Sequence, residues 1–376
     1  MTPFSVRRRE SSFKPALVAL FDYHPCDEDS RLSERGNLVA TLSPLGVDHE
    51  YVIPVDRAAP MSVTRTTTPE RPATEQKPMP LWACGVIGAA AAIVGLLPWL
   101  ATGARLPVQN LWDAAAPPDS MPIALLPFSQ YSLSHLFGLI VTGSALAGIV
   151  ARATRARLPR GGFAVLLAGA LLVQVVAAAQ SSIVVAGGLQ ERTESTLYLA
   201  VLAALCILSI LVGALALALI GRAPRAGALV GLTIGAIGAS EWVSAILRPF
   251  TTLSVEWAYS LSALIQWVAP VLVGIAIAWA GIDTAGRVVA AIASLVLVWV
   301  TPAVITGVTN AAGSRVLAHD PPAMVEYAAQ VFQMALLMPE LALRPIVATV
   351  VVAAIGLTVR WAAGRRRPAP GRTSDL

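Results

Sequence analysis

Polar and apolar positions are segregated along this chain into two regimes. Residues 1–79 are rich in Arg, Glu, Asp, Ser, Thr and Pro, and the run from Thr66 to Pro80 cannot bury a core. From Leu81 onward, apolar blocks of about twenty residues recur between short polar interruptions, each long enough to cross a ~30 Å hydrocarbon layer as a helix. A helix hides its own backbone donors and acceptors, which is what the interior of a bilayer demands. The pattern predicts spans at Leu81–Ala101, Ser132–Val150, Phe163–Val184, Leu197–Ile220, Gly227–Leu247, Trp257–Ala280, Val288–Val308 and Ile346–Trp361. The expected fold class is all-α: a polytopic helical membrane protein with about eight transmembrane helices and both termini cytoplasmic.

The segments between the blocks test this count, because cytoplasmic connections concentrate Arg and Lys. With the amino terminus inside, the inner segments hold Arg65, Arg71 and Lys77, then Arg152, Arg155, Arg157 and Arg160, then Arg222 and Arg225, then Arg287, then Arg365, Arg366, Arg367 and Arg372. The outer segments hold Arg105, Arg192, Arg248, Arg315 and Arg344. Trp82 with Trp99, and Trp257 with Trp279, bracket the first and sixth spans as interfacial aromatics would. The organisation expected is a mostly disordered cytoplasmic segment over 1–79, a transmembrane domain over 80–363 and a basic cytoplasmic tail over 364–376. Two long outer connections, 102–131 and 309–344, carry the extra structure. In the first, Met121–Phe128 is apolar and broken by Pro122 and Pro127, suited either to dipping into the membrane or to packing on the bundle. In the second, Asp320 followed by Pro321 starts a helix with Glu326, Gln330 and Gln333 on one stripe and Met324, Tyr327, Val331, Met334 and Met338 opposite. That pattern suits a helix resting on the outer surface or filling a gap between spans.

Composition agrees. Hydrophobic residues make up 56% of the 376 and charged residues 13%, about half the share of a soluble domain. The net charge of +5 sits in the turns between spans, which argues against a nucleic-acid partner. The three cysteines, Cys26, Cys84 and Cys206, support no disulfide framework or zinc site, and no cofactor is expected. The basic residues, nearly all arginine, and the dominance of Ala, Val, Leu and Gly suggest the plasma membrane of a bacterium. The amino-terminal segment has no signal-peptide pattern, and Met61 is a plausible true start, leading a short basic stretch into the first span. Within it, Ala19-Leu20-Phe21-Asp22-Tyr23 with Asp27-Glu28-Asp29 and Arg35-Gly36 resembles the opening of an SH3 domain. The tryptophans with which such a domain grips proline-rich ligands are absent before Trp82.

Chemistry-bearing positions inside the spans are few. Glu241, in the outer half of the fifth span, is an ionisable group whose burial costs several kcal/mol and which marks a candidate functional site. Arg248 returns to the same helical face seven residues on, ~10 Å along the axis, with Ser244 between them, and it leans back toward Glu241. Pro270 and Pro302 remove helical donors from the sixth and seventh spans, so kinks are expected at both. Gln266 beside a freed carbonyl, with Thr301 and Glu241, would then line one polar pocket. Gly227, Gly231 and Gly235 form a small-residue face for close helix packing, with another membrane protein or a second copy of this chain as potential partners beside the lipid bilayer. Gln174 and Gln180 are expected to bond between helices, and His135 is expected to be a satisfied interface histidine. No HExxH motif or phosphate loop is present, and Ser144 after Gly143 lacks the surroundings of a rhomboid protease serine. The leading expectation is a non-catalytic membrane component that binds a partner; the alternative is a small secondary transporter with Glu241 as its coupling residue.

Overall fold

The computed structural model describes residues 78–365 apart from 108, 110, 114–116, 118–119, 253–255 and 315–319. The expectations for 1–77, including the SH3-like stretch and the start at Met61, lie outside the described residues, as does the tail beyond Arg365. Ten α-helices are described: α1 Leu81–Ala101, α2 Leu133–Ala153, α3 Gly162–Ala186, α4 Thr193–Arg222, α5 Arg225–Thr252, α6 Glu256–Ile265, α7 Val268–Ala280, α8 Ala285–Gly313, α9 Pro321–Leu337 and α10 Pro339–Arg365. With α6 and α7 taken together as one crossing, eight spans are long and apolar enough to cross a membrane. The chain is an all-α multi-pass membrane protein.

The sixth span is broken where the sequence predicts only a kink. Pro270 falls in the first turn of α7, where a missing donor is tolerated, and Trp267 caps that helix after a two-residue gap. Pro302 behaves differently, since α8 runs through it without interruption. The second long connection is mostly helical: α8 extends to Gly313, and Asp320 caps α9 by accepting from the Ala323 N–H at 3.1 Å. The helix α9 lies lengthwise against the far half of α8. Gly307 meets Ala328 and Phe332, and Trp299 Nε1 donates to the Leu336 carbonyl at 3.1 Å. Ala328, Phe332 and Ala335 therefore make the packed face, whereas Tyr327, Met334 and Met338 are exposed. Met324 and Val331 of the stripe read from the sequence are half-buried, while the close approach at Gly307 brings Ala328 and Phe332 onto α8.

Two groups of four spans share one packing order. In the first, α1 packs on α2 and α3, and α2 packs on α4; in the second, α5 packs on α7 and α8, and α7 packs on α10. The helix α2 is the most buried span and joins the groups through α5. Glycines set the close contacts. Gly88 lies on the Leu166 carbonyl and Gly169 on that of Gly85, and Gly274 and Gly356 seat α7 on α10 at Val352 and Ala278.

At the end where the arginines gather, their side chains also close helices. Arg152 Nη1 donates to the Ile220 and Ala223 carbonyls at 2.8 and 3.0 Å, and its guanidinium lies 5.1 Å from the Trp279 ring centre. Arg360 Nη1 donates to the Ala278 carbonyl and, at 2.9 Å, to that of Trp279. Each meets carbonyls that a helix end leaves open, at the negative end of its dipole. Trp279 is thus engaged by the protein, as is Trp99, whose Nε1 donates to the Ala124 carbonyl at 2.8 Å; Trp82 and Trp257 are exposed as interfacial residues should be.

The first long connection packs on the bundle. Leu106, Met121, Ala124, Leu126 and Phe128 are fully buried in one cluster with Leu96, Leu136, Leu139, Ala177 and Leu202. Non-helical backbone at this depth needs partners, and polar side chains supply them. Gln180 donates to the Ile123 carbonyl and accepts from the Leu125 N–H at 3.0 and 2.9 Å, and Ser181 Oγ accepts from the Leu126 N–H at 2.9 Å. Gln109 Nε2 donates to the Phe128 carbonyl at 3.0 Å, while its oxygen accepts from the Tyr198 hydroxyl. Gln180 therefore serves the loop, not a neighbouring helix, whereas Gln174 does join helices, donating to the Ile140 carbonyl and to Ser144 Oγ at 3.1 and 2.8 Å. Replacing Gln180 with Leu strands two backbone groups at once. The expected outcome is a loss of about 2–4 kcal/mol, at about 1–2 kcal/mol for each group, with new protease cleavage between residues 102 and 131. Thermal unfolding and limited proteolysis in detergent check it.

Candidate functional site

The polar positions inside the spans converge on the seam between α2 and α5. These helices run antiparallel and close because glycine occupies the contact points: Gly235 lies on Ala145, Gly238 on Val141 and Thr142, and Gly138 on Glu241 and Trp242. The sequence-derived stripe on α5 is thus divided. Gly231 and Gly235 make interhelical contacts, with α4 and α2 respectively, whereas Gly227 packs on Ala223 in the turn that leads into its own helix.

Glu241 is held against α2. The Ser134 hydroxyl stands beside its carboxyl, and a Cβ added at Gly138 would lie 2.5 Å from the Glu241 Cβ. The neighbouring Trp242 anchors the same turn to α1 by donating from Nε1 to the Gly95 carbonyl at 2.9 Å. Glu241 thereby faces protein, as a carboxylate at this depth must.

Arg248 takes a different partner from the one its spacing suggests. It is exposed at the far end of α5 and donates to Ser132 Oγ, at the start of α2, at 3.2 Å. Ser132 stands nearer the end of the span than Glu241, so the long side chain reaches it without crossing apolar surface. Ser244 lies half-buried between the two. Gln266 stands exposed at the α6–α7 break, where its amide donates to the Ala263 carbonyl at 2.8 Å. Thr301 is half-buried on α8. Among the described residues no hydrogen bond joins Gln266 or Thr301 to Glu241. The break at Pro270 lets Gln266 bond within its own segment.

The seam contains a residue the sequence undervalued. His135 follows Ser134, and both of its ring nitrogens are buried without a hydrogen-bond partner. The expectation of a satisfied histidine is therefore not met. Thr142, two turns further along α2, carries a second unsatisfied buried oxygen, Oγ1. The Arg248 guanidinium is close enough to act electrostatically on His135. Periodicity does place His135 and Thr142 seven residues apart on one face, but only the position of α5 reveals that this face is the seam. The cluster thus combines a carboxyl, a hydroxyl, an imidazole and, at its mouth, a guanidinium, a set suited to taking up and releasing protons.

Among the described residues no group of three or more His, Cys, Asp or Glu side chains is placed to hold a metal ion. No family model, curated protein or solved structure matches the chain.

Gly138 sets the spacing of the seam. The variant Gly138→Val is expected to lose about 1–3 kcal/mol through overpacking and to pull Trp242 from the Gly95 carbonyl. A lower unfolding temperature together with a shifted tryptophan emission in detergent checks both effects.

Proposed function

We propose that the chain is a small secondary transporter of the bacterial plasma membrane in which Glu241 is the proton-coupling residue. One observation carries this reading: Glu241, deep in a span, is packed on α2 at the seam between two four-helix groups, with the Ser134 hydroxyl beside its carboxyl and an imidazole nearby that has no partner of its own. A carboxyl needed only for packing is expected to close its network within the protein. A network left partly unsatisfied is costly and is retained where protons or solutes must enter. The excess of arginine at one end supports a cytoplasmic location for that end.

The reagent dicyclohexylcarbodiimide attacks protonated carboxyls from within lipid. It is expected to modify Glu241 in reconstituted protein, less as the pH of the medium rises, because deprotonation removes the reactive form. Peptide mass spectrometry reads the adduct. Glu241→Gln should end the labelling while leaving the amount of folded protein unchanged. Labelling indifferent to pH, or a Glu241→Gln protein that fails to accumulate, assigns Glu241 to packing.

A second reading, an accessory subunit that binds a partner within the membrane, is favoured by α10. This helix seats on α7 through Thr349, Val352, Ala353 and Gly356, while Leu343, Val347, Val351, Ile355 and Val359 are exposed along its length. Extraction in mild detergent then yields a stoichiometric complex, and a clean monomer counts against it.

A further inference from the structure

The α2–α5 seam holds more polar atoms than it satisfies, and they lie in a row. His135 Nδ1 and Nε2 and Thr142 Oγ1 are buried without partners. Seven residues separate the two side chains, which sets them about 10 Å apart along one face of α2. That face is turned to α5, since Gly138 between them lies on Glu241 and Thr142 lies on Gly238. An unsatisfied buried donor or acceptor costs about 1–3 kcal/mol, and sites of this kind are ordinarily filled by ordered water. Gly138 and Gly238 bring the two helices into contact beside these atoms, Gly138 meeting the Glu241 Cβ and Gly238 meeting Val141 and Thr142. Toward the arginine-bearing end the seam changes character: Gly235 lies on the Ala145 methyl, and beyond it Gly231 packs α5 on Leu219 and Ile220 of α4. Apolar contacts of this closeness leave no place for water.

We propose that the outer half of the seam is a water-filled half-channel that carries protons from the end opposite the arginines, past His135, to Glu241, and that the Gly235–Ala145 contact closes it inward. This rests on the reading of Glu241 as a coupling carboxylate and adds the route and the side from which it loads. Water delivers the proton, a carboxylate oxygen of Glu241 takes it, and return by the same path restores the carboxylate. His135 orders the water by bonding to it at both nitrogens. Among the described residues, the charged groups around this path are Arg248 and Glu241 from α5. Tyr131 stands at the approach to α2, and α1 contributes the Gly95 carbonyl, already occupied by Trp242. Arg248, drawn to Ser132 Oγ, marks the mouth. Transport then requires α2 and α5 to part at Gly235, the contact that separates Glu241 from the cytoplasm.

The test follows the Glu241 carboxyl stretch by infrared difference spectroscopy in oriented proteoliposomes, with the Glu241→Gln spectrum subtracted and the internal pH held constant. The band is expected to respond to a pH step at the end opposite the arginines and to ignore one at the arginine-bearing end. His135→Phe, which places a ring without hydrogen-bonding atoms in the seam, should lose the response; His135→Gln, which still bonds water, should keep it. If His135→Phe does not fold, His135→Leu gives the same reading. A response from the arginine-bearing end, or an undiminished response in a folded His135→Phe or His135→Leu protein, overturns the half-channel and leaves Glu241 a coupling residue. A wild-type band that answers neither side overturns both.

Discussion

Every backbone N–H and C=O that enters a bilayer must find its partner inside the protein, and this requirement organises the whole chain. Eight spans meet it as helices. The departures from helix are more informative, because each is matched by a side chain that restores the balance. Gln180, Ser181 and Gln109 bond the connection between α1 and α2, so that its prolines and apolar residues can sink among the helix ends. Arg152 and Arg360 supply donors where α4 and α7 run out of them. At the α6–α7 break, Gln266 covers the Ala263 carbonyl. In this setting the bare nitrogens of His135 and the bare oxygen of Thr142 depart from the rule, as Gln174 Oε1 and Ser195 Oγ do elsewhere in the bundle, and these two side chains lie together on the seam that holds Glu241.

The second organising feature is the closeness of the helices. Lipid tails give no hydrophobic gain for bringing apolar helices together, so contact area and backbone proximity must supply the attraction. Glycines at the α1–α3, α2–α5 and α7–α10 contacts permit it. At the α2–α5 seam glycine admits an apolar methyl at Gly235 and, at Gly138 and Gly238, the polar residues Glu241 and Thr142.

What was legible in the sequence follows from range. The spans and the start of α9 at Asp320 are local properties of hydropathy and capping, and both are found where the pattern puts them. The partners of Gln180, Trp99 and Trp279 come from distant segments that no periodicity reveals. The pairing of Arg248 with Glu241 was reasonable from one helix alone, but Ser132 and Ser134, arriving with α2, offered each a partner on its own level. The common packing order of the two four-helix groups is equally invisible, because it resides in contacts that many apolar sequences can make.

After Lys77 the chain contains no lysine, and its permanently charged cations are all arginine. For the machinery that inserts the spans, lysine would serve as well, since orientation depends on the sum of positive charge near each turn. For the finished bundle it would not. A guanidinium can bridge two carbonyls and lie flat on an indole, as Arg152 does with Ile220, Ala223 and Trp279, whereas an ammonium is a point charge with neither geometry. An exchange that conserves charge at Arg152 or Arg360 would therefore go unnoticed during biogenesis and be felt only afterwards, as loosened helix ends in a correctly threaded protein.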